Sequence, residues 1–304
     1  MGLFSSNERV AIGIGARGVH LLIGRGNGRV KQVHSASAAL PDGALRVGLH
    51  APAITDREAV LEILRQLVTD ARGEGLLRRT PEVVTVLVPD GVFKMSAVPI
   101  EGEAPKRVEG DRMARWMLRD LLPVPESDIR ASWSVFDAPE GEATASSLLS
   151  LGGTEAVLAD YESLVADLGW TTGRLVPWSF ATAAARPTDA NGAVAASHDA
   201  GVADTGQRDL ILCDADGALG ALFQIDDLPR LHRSWRSPVA GEQVAEELPS
   251  LRRYVNDHLE TSIGTVWLCG DASWTRAASL ACERGQVAAR VLSQEAVLCA
   301  ALED

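Results

Sequence analysis

Two stretches of the chain repeat one gesture, and that repetition constrains the fold most. Residues 8–23, ERVAIGIGARGVHLLI, run as a short apolar strand into the turn Gly13-Ile14-Gly15-Ala16-Arg17-Gly18 and come straight back as a second apolar strand. Residues 209–213, DLILC, run into the turn DADG and return as ALGALFQI. A strand–turn–strand opening in each half implies an internal duplication. Asn27-Gly28 between apolar runs is a strong hairpin signal, so strands are predicted near 9–14, 18–24 and 29–36 as an antiparallel meander.

The rest of the first half reads as α/β. Thr55-Asp56-Arg57-Glu58 has the form of a capping box, and Val60, Leu61, Leu64, Leu67, Val68 and Ala71 then fall on one helical face. VVTVLVP at 83–89 is a continuous apolar strand of the kind buried on both faces. After Pro89 come an alternating strand (93–100), a charged helix from about 107 to 122 stopped by Pro123 and Pro125, and a strand pair. This predicts a small inserted subdomain over about 93–147. Thr154 is placed to cap a helix that Gly169 ends, and TGRLVPWSFATAAA gives a strand and a small-residue helix.

Residues 186–208 have no periodicity and few large apolar side chains, and read as a linker or long loop. Beyond them are expected a helix over 238–258, a strand TVWLCG at 265–270 and helices through 276–302. RLHRSWR (230–236) is a basic run, read as a solvated connector or a docking patch for an acidic partner.

Composition removes whole classes of function. A net charge of −12 argues against nucleic acid, whose phosphates demand a basic footprint. No apolar run reaches the roughly 18 residues of a membrane span. The opening MGLFSS formally fits an N-myristoylation pattern but lacks a signal-peptide core, which points to a cytoplasmic protein. Cys213, Cys269, Cys282 and Cys299 form no CxxC or Cys/His spacing, so no metal is expected, and they read as reduced thiols. The scattered histidines show no metal spacing, and His20 reads as a strand residue. No G-x-S-x-G elbow supports hydrolase chemistry.

The succession MGLF…VAIGIGARGVHLLI, VVTVLVP, MARWMLRDLLPVPESDIRASWSVF, AVLADYESLVADLGWTTGRLVPWSFATAAA, LILCDADG and VWLCGDAS resembles the PilM family of type IV pilus assembly proteins. The cytoplasmic domain of the general secretion protein GspL, similar in fold, is the near alternative. The resemblance implies an actin-like (ribonuclease-H-like) α/β fold of two lobes. Lobe one would span 1–185 with the insert, and a reduced lobe two 209–304. It also implies a place at the cytoplasmic face of the inner membrane. The partner would be the cytoplasmic N-terminal peptide of a bitopic PilN-like protein, gripped near the insert, with a motor ATPase of the same machine as a second partner.

An actin-like nucleotide site needs glycine loops for the phosphates, carboxylates for magnesium and an adenosine pocket. The residues standing at such a site here are Gly13, Gly15, Arg17, Gly18, Asp214 and Gly270. The family's loop aspartate falls on Gly13, its serines become Ala16 and Arg17, and DADGALG is shortened to a tight Asp216-Gly217 hairpin. The expectation is therefore a degenerate ATPase without catalytic residues or a bound cofactor, acting as a scaffold. ATP with magnesium belongs to the alternative, a nucleotide-switched ATPase. A small-molecule kinase of the same superfamily has no catalytic acid that can be placed. Candidate partner-binding residues are Phe93, Met95, Arg112, Arg115, Trp116, Arg119 and Trp133, with Met117 and Leu121 beside them. Small cores and peptide grooves use the same residue types, so core packing is the other reading of the apolar ones. The arginines form a basic stripe suited to an acidic peptide, or simply an exposed helix face.

Overall fold

The computed structural model describes residues 8–25, 32–100, 103–136, 146–187, 207–235 and 239–303. Strands β1 (Glu8–Ile14), β2 (Gly18–Arg25) and β3 (Gln32–Ala39) form the expected antiparallel meander. Its Asn27-Gly28 turn lies outside the described residues. Helix α1 (Arg57–Gly73) leads to β4 (Val83–Val88), parallel to β1. Strand β8 (Thr171–Pro177) pairs parallel with β4, and the sheet order is β3-β2-β1-β4-β8.

The second half repeats this plan. Strands β9 (Arg208–Asp214), β10 (Leu219–Ile225) and β11 (Leu228–Ser234) form a meander. Strands β12 (Thr265–Cys269) and β13 (Ala288–Leu292) extend it in parallel, in the order β11-β10-β9-β12-β13. The duplication inferred from two turns is thus a duplication of sheet topology.

Strand alternation divides the apolar residues between cores. Val10, Ile12 and Ile14 face the buried side of α1 and helix α3 (Glu155–Ala166), whereas Ala11 points the other way. Leu210 and Leu212 face helices α5 (Val244–Leu259) and α6 (Ala272–Arg284), whereas Ile211 and Cys213 point the other way. Ala11, Ile211 and Cys213 meet in one core between the sheets, filled by α4 (Trp178–Ala184) and α7 (Gln294–Glu303). The lobes therefore share a hydrophobic interior. Arg9 and Arg174 of the first lobe secure α7 by donating to the carbonyls of Leu302 (2.6 Å) and Ala301 (3.1 Å).

Between β4 and α3, strands β5 (Lys94–Pro99), β6 (Ile129–Phe136) and β7 (Ser147–Thr154) form a small antiparallel sheet in the order β5-β7-β6. Helix α2 packs on it over Arg107–Leu118. The expected helix to 122 stops short: Leu121 and Leu122 both return amide bonds to the Leu118 carbonyl, tightening the chain ahead of Pro123.

Several local expectations are corrected. The cap of α1 is Asp56, which accepts from the Ala59 amide at 3.1 Å, while the Thr55 hydroxyl donates to the Gly43 carbonyl. Thr154 precedes α3 but spends its hydroxyl on the Leu49 carbonyl at 3.1 Å. Val83, at the head of the supposedly two-face-buried β4, is 58% exposed. RLHRSWR is no connector, since 230–234 belong to β11. The turn before that strand is Asp226-Asp227, both at positive φ (50° and 64°), a mirror-image hairpin made without glycine. The helix expected from 238 begins at Val244 after a 3-10 turn at Gly241–Gln243. The region expected to be helical to 302 is α6, β13 and α7. Gly169 ends α3 at φ 77° as expected. Most of the linker, residues 188–206, lies outside the described residues.

Candidate functional site

The two turns that open the halves meet between the lobes. Gly15 and Gly18 flank the first. A Cβ at these positions would lie 2.5 and 2.7 Å from Asp216 Oδ2 of the second turn. Glycine is thus required for close approach, but the group approaching is a carboxylate of the chain itself. His20 Nε2 lies 2.8 Å from the same oxygen, and Arg17 Nε donates to the Asp216 carbonyl at 3.1 Å. Two of the amides that a phosphate loop would offer are spent: Gly15 donates to the Gly18 carbonyl at 2.8 Å and Ala16 to the Ala215 carbonyl at 2.9 Å. Gly13 stands apart, where a Cβ would come 2.5 Å from the Trp178 indole, whose Nε1 donates to the Ile14 carbonyl at 3.0 Å.

The second turn is as tight as its sequence implies. Asp216 and Gly217 have φ of 50° and 99°, and the Ala215 amide donates to the Ala218 carbonyl at 3.0 Å. Both oxygens of Asp214 accept from the Gly217 amide, at 3.2 and 3.0 Å. Burial pushes the Asp214 carboxyl up to about 6; the Gly217 amide and Arg17 oppose the shift, and Asp216 and Asp271 add to it. Gly270 lies against Trp274 and Asp214, and Asp271 caps α6 by accepting from the Ser273 and Trp274 amides, both at 2.8 Å. The Ser273 hydroxyl above all, with the Trp274 amide, holds the Asp271 carboxyl below its usual range. The structure therefore brings Gly15, Arg17 and Gly18 against Asp216, with Asp214 beside it in the same turn and Gly270 against Asp214. Asp214, Asp216 and Asp271 place three carboxyl groups near the single Arg17 guanidinium. Among the described residues, no group of three or more His, Cys, Asp or Glu converges to hold a metal.

A second polar knot was not visible in the sequence. Asp90, two residues beyond β4, is fully buried and accepts from the Ser179 hydroxyl, the Ser179 amide (3.2 Å) and His232 Nε2 (2.9 Å). Gly220 of β10 makes room, since a Cβ there would be 2.2 Å from Asp90 Cγ. Serine, histidine and aspartate meet here, but serine and histidine both bond to the aspartate, which is not the order of a Ser-His-Asp relay. Three donors satisfy a carboxylate that water does not reach. The sequence signal was faint: a lone Pro-Asp-Gly after a buried strand.

A cavity of about 760 Å³ opens where the small sheet meets both lobes. It is lined by the Arg46–His50 loop, Lys94 and Met95 of β5, Asp120–Pro123 beyond α2, and His232, Ser234 and Trp235 from the second lobe. Among the described residues, the buried Trp235 Nε1 has no hydrogen-bond partner. Of the sequence candidates for partner binding, Met95 and Leu121 line this cavity. Phe93 packs in the first-lobe core, and Trp133 packs against Gly110 and donates to Asp111 at 2.8 Å. Met117 is buried in the core of the small sheet. Arg112, Trp116 and Arg119 form an exposed face of α2 with Arg115 half-buried beside them, and the Arg119 guanidinium lies 5.3 Å from the Trp116 ring centroid.

No protein-family model and no curated protein sequence matches this chain. Solved structures do. The PilM–PilN type IV pilus biogenesis complex aligns over 97% of this chain and 95% of that one, with a TM-score of 0.69 at 16% identity. The cytoplasmic domain of EpsL, an inner-membrane component of the Vibrio cholerae type II secretion system, aligns over 98% and 96%, with a TM-score of 0.54 at 12% identity. A Bacteroides thetaiotaomicron protein with an actin-like ATPase fold aligns over 96% and 94%, with a TM-score of 0.51 at 10% identity. The chain has the actin-like fold, and the likeness read from short motifs extends across nearly its whole length.

Proposed function

We propose that this chain is a nucleotide-independent actin-like adaptor of a type IV pilus or type II secretion platform. The observation that carries the reading is the first glycine turn, where the chain's own Asp216 fills the space a phosphate would need. Metal-bound triphosphate would have to expel that carboxylate, break its contact with His20 and enter beside Asp214 and Asp271. The nucleotide-switched alternative requires that expulsion at every cycle.

What remains is recognition. The cavity beside β5 offers apolar walls (Met95, Leu121, Leu122) and an exposed cation, Arg46, with Lys94 and Asp120 also in its lining. Such a surface suits a short extended peptide. The neighbour in the PilM–PilN complex supports a bitopic PilN-like partner, whose cytoplasmic tail would occupy this cavity. That partner would hold the protein at the inner membrane, since among the described residues no helix is long and apolar enough to cross a membrane. A motor ATPase of the same machine would engage another face. Calorimetric titration with the cytoplasmic N-terminal peptides of bitopic proteins from the same gene neighbourhood tests this. One peptide should bind, and Met95→Glu should weaken it; no binding by any would remove the adaptor reading.

A further inference from the structure

Two aspartate–histidine pairs cross between the lobes in opposite senses. Asp216 of the second lobe meets His20 of the first at 2.8 Å, and Asp90 of the first lobe meets His232 of the second at 2.9 Å. The first turn of α4 lies between them. The Trp178 ring stands edge-on to His20 with centroids 5.7 Å apart. Ser179 donates to Asp90 through both its amide and its hydroxyl. The Phe180 ring stands edge-on to His232 with centroids 5.8 Å apart. Three successive residues thus touch both pairs.

We infer that the crossed pairs, joined through Trp178-Ser179-Phe180, are latches that hold the cleft shut with nothing bound in it. The apolar core of α4 and α7 joins the two lobes on one side. A one-sided joint leaves the mouth of the cleft free to gape unless something spans it. The two latches cross between the lobes at different depths, one buried and one near the surface. The Asp90–His232 side chains are 0% and 1% exposed, so that pair has no water to turn to. The Asp216–His20 side chains are 20% and 13% exposed, so that pair yields first. Opening therefore begins at the glycine turn and proceeds to lobe separation only when the buried pair also parts.

This inference rests on the reading of the cleft as closed to nucleotide, but not on the peptide partner. Its test uses neither ligand, so it can fail while the adaptor reading stands. The Ala16 amide donates across the lobes to the Ala215 carbonyl at 2.9 Å, which makes its hydrogen exchange a direct reporter of closure. In the full chain without ligand it should exchange slowly. His20→Ala should speed it about tenfold, and His20→Ala with His232→Ala well beyond that, while the Ala11 and Ile12 amides in β1 stay protected. His20→Gln, which keeps a donor on a side chain of similar reach, should retain most of the protection. Exchange at Ala16 within about twofold of wild type in His20→Ala, or equal loss in the Gln and Ala variants, would overturn the inference. Should the double variant fail to fold, the His20 pair of variants decides alone.

Discussion

Gly18→Ala tests whether Asp216 occupies the glycine turn in solution. The new Cβ would lie 2.7 Å from Asp216 Oδ2 and 3.2 Å from its Cγ, with the Ala38 carbonyl next at an ordinary 3.5 Å. The obstacle is thus one carboxylate, the movable end of a short side chain. Displacing it forfeits the His20 hydrogen bond, about 1 kcal/mol, and forces a poorer rotamer, about 0.5–1 kcal/mol more. The expected loss is about 1.5–2 kcal/mol, or about 3 °C in Tm for a chain of this length. Removing the carboxylate should abolish the cost. Asp216→Gly also suits the backbone, since φ there is 50°. In that background Gly18→Ala should be nearly neutral, giving a coupling energy of about 1.5 kcal/mol in a double-mutant cycle. Urea unfolding followed by tryptophan fluorescence measures all four proteins. An equal cost of Gly18→Ala in both backgrounds would refute the plugged turn. Gly15→Ala serves as a contrast, because the Ala215 carbonyl also lies 2.8 Å from its Cβ and rescue should be partial.

Three further outcomes follow from the same geometry. Asp214 titrates near 6 when folded against an ordinary 3.8, so between these values the folded state keeps a proton that the unfolded chain has lost. Its contribution is most favourable below about pH 4, falls by about 2–3 kcal/mol as pH rises to about 6, and is flat above. Asp214→Asn should therefore gain on wild type by about that amount over the same range in pH-dependent urea unfolding, and a constant difference would contradict the shift. Asp90→Ala strands the buried His232 and Ser179 donors and should cost about 3–5 kcal/mol in chemical denaturation; under about 1 kcal/mol would mean that the knot does not form. Leu121→Asp should weaken partner-peptide binding at least about tenfold while Trp116→Ala on the outer face of α2 leaves it unchanged; the reverse ranking in calorimetry would move the docking surface to α2.

Much of the architecture was readable because strong local signals agree with the fold. The apolar runs of β1, β2, β4 and β9, the one-sided face of α1 and the terminal Gly169 need no tertiary knowledge. What escaped lies where tertiary contacts overrule composition. β11 looks like a basic connector because arginine and histidine fill it, but only Arg233 is exposed, while His232 turns inward and is matched by an aspartate 142 positions away. β13 is an edge strand with Val291 55% exposed, so it carries no buried-strand signature. At the site, Gly13, Gly15 and Gly18 read in sequence as a phosphate loop or as a tight turn with inherited glycines, and the group that lies against Gly15 and Gly18 could not be named. Asp216 stands about 200 residues from them in the chain, and nothing in a tight Asp-Gly hairpin announces that its carboxylate is seated in another turn.

The central claim is that the cleft holds its own carboxylate in place of a metal-bound triphosphate. Isothermal titration of the full chain with ATP and magnesium addresses it most directly. The account predicts no saturable heat with the wild-type protein. Saturable micromolar binding, lost on mutation of Arg17 or Asp214, would contradict it.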